Sequence, residues 1–187
     1  MRILLFCSLI SFSFFLHAQK ARKERAWQSI GQLNWNDYKA KPNKATSFKA
    51  LTSTGVTFAI NYEGDLLSIE VSNFFHPNSS WTKNNQSEKL LRHERLHFDI
   101  SELLTRKLRK EISKTNFKTR GKKLMSEIST MYQEKMKELS HYQKRYDKET
   151  DHSIIEEAQR KWEIKVKREL KSLQQYSSSE VKIELED

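Results

Sequence analysis

From Ser87 to about Lys114, Leu90, Leu91, Leu96, Ile100, Leu103, Leu104, Leu108 and Ile112 recur at helical spacing, and the same run contains His93-Glu94-Arg95-Leu96-His97. This combination constrains the chain more than any other feature. Ser87 is a residue type that caps a helix N-terminus, so the pattern predicts a helix beginning there. On such a helix two histidines four residues apart share one face, about one turn apart. Both imidazoles can then reach a single point, with the Glu94 carboxylate on the same side. Two neutral nitrogen donors and a carboxylate able to take a proton from water are the minimum equipment of a metal-assisted hydrolytic site. The competing reading is a solvated charged face on which the histidines only pack or pair.

Arg2 followed by the apolar stretch Ile3 to Leu16 and then His17-Ala18 reads as a secretory signal peptide, residues 1–18, cut between Ala18 and Gln19. That places the mature chain in a periplasm or outside the cell. The single cysteine, Cys7, lies inside the apolar stretch. A metal in the mature chain must therefore be held by His, Asp or Glu. The formal net charge is +10, but lysines and arginines interleave with glutamates along the C-terminal half, the pattern of solvated helix faces. Electrostatic association with an anionic cell envelope is compatible with this charge. Export and the lack of a nucleic-acid motif argue against a nucleic-acid partner.

Residues 19–32 are charged and read as a mobile lead-in, 33–176 as one domain, and 177–187 as a tail that is a short strand or disordered. Ser47 to Tyr62 and Leu66 to Phe75 are extended segments around the turn Glu63-Gly64-Asp65, a hairpin pattern. Helices are predicted from about Ser87 to Lys114, Lys122 to Tyr146 and Ser153 to Gln175. The fold class is α+β: a small antiparallel sheet or hairpin, then the histidine-bearing helix and two long helices, a zincin-like order.

A tetrahedral catalytic zinc takes three protein ligands and a water. The helix cannot easily supply the third. Asp99 and Glu102 turn away from the histidine face and are better placed to orient the ligating imidazoles. The third ligand must come from later helices or from His76 at a strand end. His152 stands at the junction of the second and third helices. His141 reads as a surface histidine, and Glu127 or Glu134 on the second helix would give a carboxylate ligand.

Several blocks resemble one family. They are Leu33-Asn34-Trp35-Asn36-Asp37-Tyr38 with Pro42, Ala50 to Gly55, Ser80-Trp81, Leu90 to Ile100, Tyr146-Asp147 with Glu149-Thr150-Asp151-His152, and finally Gln159 and Trp162. Together they look like the motifs of the DUF922 family of predicted secreted zinc-dependent proteases, over most of residues 33–165. Ala40 and Ser153 depart from that pattern, each standing where a glycine is usual. The resemblance implies a metallopeptidase-like fold and protease activity, and it favours His152 as the third zinc ligand over Asp147, Glu149, Asp151 and the second-helix glutamates. The expectation is therefore a zinc peptidase with His93, His97 and His152 as metal ligands and Glu94 as general base. Leu66 to Phe75 would be an edge strand aligning a peptide substrate. Tyr142 and Tyr146 are candidates for stabilising the oxyanion. The alternatives are a non-catalytic envelope-associated binding protein with a vestigial or structural metal site, and a zinc amidohydrolase acting on cell-wall amides.

Overall fold

The computed structural model describes residues 24–64 and 66–185, so the signal-peptide reading and Cys7 lie outside the described residues. The hairpin forms as β3 (Thr54–Glu63) and β4 (Leu66–Phe75), antiparallel in continuous register from Thr54 opposite Phe75 to Glu63 opposite Leu66. Gly64 sits at the turn with φ +63°, a left-handed conformation open to glycine at little cost. Alternation along β4 puts Leu67, Ile69 and Val71 on one face, all fully buried.

The rest of the chain supplies short strands. β1 (Arg25–Ala26) pairs with the end of β4, and β6 (Glu180–Glu184) pairs with its start. β2 (Ala50–Leu51) and β5 (Trp81–Thr82) make a separate two-stranded sheet. β4 is thus a central strand, paired on both sides, and not the edge expected from sequence. Its second edge is covered by segments 25–26 and 180–184, which are too short for their strand pattern to stand out. Residues 25–26 of the stretch read as a lead-in are in this sheet, and Trp27 beside them donates from Nε1 to Asp99 Oδ1 at 2.7 Å.

The helices are α1 (Glu88–Lys114), α2 (Gly121–Thr150) and α3 (Glu156–Ser172). Ser87 caps α1, its hydroxyl accepting from Leu90 N at 3.1 Å. α1 is the spine of the molecule. Its C-terminal half, Leu108 and Ile112, packs with Leu67, Ile69 and Val71 of β4 and with Leu124 and Ile128 of α2. Its middle, Leu96, Ile100, Leu103 and Leu104, packs with Tyr146 of α2 and with Trp162, Val166 and Leu170 of α3.

A helix enclosed on so many sides must also satisfy its charges. Glu102, 1 % exposed, accepts from Arg106 Nε and Arg109 Nη1, both at 3.0 Å. The two guanidiniums carry the connection outward. Arg106 donates to Leu170 O at 2.9 Å near the end of α3, and Arg109 donates to Val71 O at 2.9 Å on β4. Removing the central carboxylate leaves two buried cations without their shared partner. Glu102→Ala is expected to lower unfolding free energy by about 3–5 kcal/mol. Urea denaturation followed by circular dichroism measures this, and a loss under 1 kcal/mol would contradict the account of the network.

α2 continues to Thr150, four residues past the end predicted at Tyr146. Asp151, His152 and Ser153 then take left-handed conformations, with φ of 45°, 48° and 83°. This run stops α2, turns the chain, and delays α3 to Glu156. Ser153, at φ 83°, is the position where the family resemblance implies a glycine.

Candidate metal centre

His93 and His97 lie on the face of α1 that meets α2, and α2 brings Asp147 to them. His93 Nε2 is 3.1 Å from Asp147 Oδ1, His97 Nε2 is 3.0 Å from the same oxygen, and the two Nε2 atoms are 3.2 Å apart. Ligand atoms about 2.0–2.1 Å from a tetrahedral metal are separated from one another by roughly 3.3 Å. The three donor atoms therefore already stand at the mutual spacing of a metal's ligand set. Among the described residues they form the one His, Asp and Glu grouping close enough to hold an ion.

The other ring nitrogens fix the tautomers. His93 Nδ1 faces Gln159 Oε1 at 3.3 Å, and His97 Nδ1 faces Gln143 Oε1. Each amide is oriented by its own nitrogen: Gln159 Nε2 donates to Glu163 at 3.0 Å, and Gln143 Nε2 donates to His97 O at 2.9 Å. Both amide oxygens can only accept, so both Nδ1 atoms carry protons. An Nε2 proton is then what a metal would displace, freeing the Nε2 lone pairs in an arrangement where outer hydrogen bonds orient ligating imidazoles. Tyr146 stacks on His93 with ring centroids 4.5 Å apart and donates its hydroxyl to Gln159 Oε1 at 2.7 Å.

Charge follows from this crowding. Burial lowers the His93 pKa, with Asp147 acting against it. Burial acts in the same direction at His97, but the Asp147 and Glu94 carboxylates outweigh it and the pKa is raised. At Asp147 burial favours the neutral acid, yet the two imidazoles win and hold the carboxyl well below the usual range. Asp147 is thus an ionised oxygen donor aimed at two imidazoles, a fit to a divalent cation by the chemistry of its donors.

Glu94 is 4 % exposed and lies in the same cleft. Thr52 Oγ1 donates to Glu94 Oε2 at 2.5 Å, and Tyr38, whose hydroxyl is 2.8 Å from Thr52 Oγ1, completes a chain of donors. Burial, and after it the Glu94 charge, pushes the Tyr38 phenol up, so Tyr38 stays protonated. The cleft has a volume of about 750 Å³. One wall is residues 47–54, including β2. The other is α1 with the C-terminal end of α2 and the turn after it.

Of the residues singled out from sequence, His93, Glu94 and His97 come together. His152 lies in the cleft, half exposed, with Nδ1 3.6 Å from Asp147 Oδ1, and it is not part of the ligand group. The left-handed turn carries it past the end of α2, while Asp147 is still inside the helix. Asp99 and Glu102 do not orient the histidines: Asp99 accepts from Trp27 and Gly31, and Glu102 serves the two arginines. The orienting groups are Gln143 and Gln159. Tyr146 is fully buried and Tyr142 reaches Glu169 at 3.3 Å, so neither faces the cleft as an oxyanion donor. His76 packs over Gly55 with Nδ1 3.4 Å from Glu24, and His141 is exposed.

The residue blocks that suggest a family therefore surround one site: Tyr38 and Thr52 behind Glu94, and Tyr146, Asp147 and Gln159 around the histidines. A family model described as bacterial protein of unknown function (DUF922) matches residues 19–153, and the chain belongs to that family. No curated protein and no solved structure matches the chain.

Proposed function

We propose that this protein is an exported zinc-dependent peptidase with a zincin-like arrangement, cutting peptide bonds in the cleft between β2 and α1. The observation that carries the reading is the convergence of two Nε2 atoms and the Asp147 oxygen, with the buried Glu94 carboxylate in the same open cleft. His93, His97 and Asp147 would hold the metal. When bound, zinc supplies Lewis-acid polarisation of a water and of the scissile carbonyl. Glu94 takes a proton from the attacking water and hands it to the departing amide nitrogen. Thr52, held by Tyr38, fixes the Glu94 carboxylate through this transfer. Gln143 and Gln159 keep both histidines in the tautomer that leaves Nε2 free. A two-histidine, one-carboxylate set also suits iron. A buried carboxylate held as a proton acceptor favours the hydrolytic reading over redox chemistry.

β2 is the strand positioned to receive substrate. Among the described strands it pairs only with β5, and its flanking segment lines the cleft. An extended peptide laid along it would gain main-chain hydrogen bonds next to Glu94. Export would follow from cleavage between Ala18 and Gln19.

The test is metal removal. Protein purified without chelator is expected to carry one zinc per chain by elemental analysis and to cleave a mixture of quenched fluorescent peptides. 1,10-Phenanthroline should abolish cleavage and added zinc should restore it. Stoichiometric zinc without turnover would favour a non-catalytic envelope-associated binding protein, and no stoichiometric metal would remove the reading.

A further inference from the structure

Phe48 is 51 % exposed, Leu51 45 % and Ile154 66 %, and all three line the cleft that holds His93, His97 and Asp147. Phe48 and Leu51 stand on the β2 wall. Ile154 stands on the opposite wall, in the turn between α2 and α3. Single exposed apolar residues are ordinary. Three on facing walls of a concave polar site leave apolar surface in water unless something apolar enters between them. The Phe48 ring lies 5.4 Å from the His152 ring, so the apolar wall adjoins the metal end of the cleft.

Both walls are built rather than loose. Lys83 Nζ donates to Thr46 O at 2.6 Å, and Lys83 N donates to Lys49 O at 2.7 Å, which ties the Phe48 segment to the strand behind it. Lys89 Nζ donates to Ile154 O at 2.8 Å and Ile155 N to Thr150 O at 2.8 Å, which anchors the other wall to α1 and α2. A preformed apolar slot beside a polar reactive centre is how a hydrolase selects a side chain without touching the bond it cuts.

We infer that the cleft selects peptides with a large apolar side chain next to the scissile bond, seated between Phe48 and Leu51 on one wall and Ile154 on the other. This rests on the peptidase reading and names its substrate class. Large apolar side chains are more often buried than exposed in folded proteins, so unfolded or flexible segments present them to the cleft most readily.

The experiment reads binding to the zinc-loaded protein, by calorimetry, of three hydroxamates: acetohydroxamate, N-acetyl-leucine hydroxamate and N-acetyl-aspartate hydroxamate. The leucine compound is expected to bind about tenfold or more tightly than the aspartate compound. Phe48→Ser and Ile154→Ser, both at exposed positions, should each shrink that ratio several-fold while leaving acetohydroxamate affinity unchanged. A wild-type ratio near one, or a ratio that neither substitution moves, overturns the apolar slot and leaves the peptidase reading standing. Failure of acetohydroxamate itself to bind means there is no accessible metal, and then both fall.

Discussion

Asp147→Ala should lower zinc affinity by about a hundredfold or more, while His152→Ala should change it by less than tenfold. Zinc sites with four protein ligands deliver about 10–16 kcal/mol, so one ligand's share is about 2.5–4 kcal/mol, roughly a hundredfold to a thousandfold in affinity. Asp147 is the proposed ligand because its Oδ1 is 3.1 Å and 3.0 Å from the two histidine Nε2 atoms. His152 Nδ1 is 3.6 Å from that carboxylate and half exposed, so its loss removes a neighbour and no metal bond. Competition titration with a chromogenic chelator measures both variants. The reverse pattern, with His152→Ala losing the metal and Asp147→Ala keeping it, would restore the histidine ligand set that the sequence suggests. Asp147 is 30 % exposed and at the end of a helix, so its replacement should leave the fold intact; circular dichroism separates loss of metal from loss of structure.

Glu94→Gln should retain zinc and lose peptide hydrolysis, with kcat lower by about 10²–10⁴ and KM little changed, as befits removal of a group that acts by proton transfer. The amide has the shape of the carboxylate and keeps an oxygen for Thr52 Oγ1, which donates at 2.5 Å. The cleft should therefore hold its geometry while losing its proton acceptor. Thr52→Val serves as the milder companion, since it removes the hydroxyl that orients the carboxylate and leaves the carboxylate itself. Undiminished cleavage by zinc-replete Glu94→Gln would assign the proton transfer elsewhere.

The histidine pair was legible from sequence because it rides on a helix whose apolar period is unbroken over many turns. The hairpin was legible for the same kind of reason: two long alternating segments around a glycine. Asp147, the third member of the cluster, was not, and the cause is local. The stretch Asp147-Lys148-Glu149-Thr150 is polar, so the apolar period fades and the second helix reads as ending at Tyr146. In the structure the helix runs on, with Thr150 Oγ1 donating back to Tyr146 O at 2.8 Å. Asp147 therefore shares the face of Gln143, four residues earlier, and both turn toward α1. Had the helix been extended, Gln143, Tyr146, Asp147 and Thr150 would have appeared as a polar stripe at helical spacing on an apolar face. The family resemblance favours His152, a histidine at the helix junction, but three successive left-handed residues swing it out of the helix.

Other parts of the site had no sequence signal of their own. Gln159 is fully buried on α3, yet a glutamine in a charged helix looks like any surface residue. Tyr38, ahead of a turn-rich stretch, and Thr52, in an extended segment, are ordinary until the fold places them behind Glu94. Only their membership in the blocks that resemble a family hinted that they belong together. The short strands β1 and β6 were unreadable because a strand of two to five residues gains its definition from the neighbour it pairs with. By pairing with β4 they make it a central strand, which removes it as the edge that the sequence suggests for a peptide.

The most direct measurement is anomalous diffraction at the zinc absorption edge from crystals of the zinc-loaded protein. One strong peak is expected about 2.0–2.2 Å from His93 Nε2, His97 Nε2 and an Asp147 oxygen, with Gln159 and Gln143 still on the two Nδ1 atoms. A peak bonded to His152 in place of Asp147, or no peak between the two histidines, would contradict this ligand set.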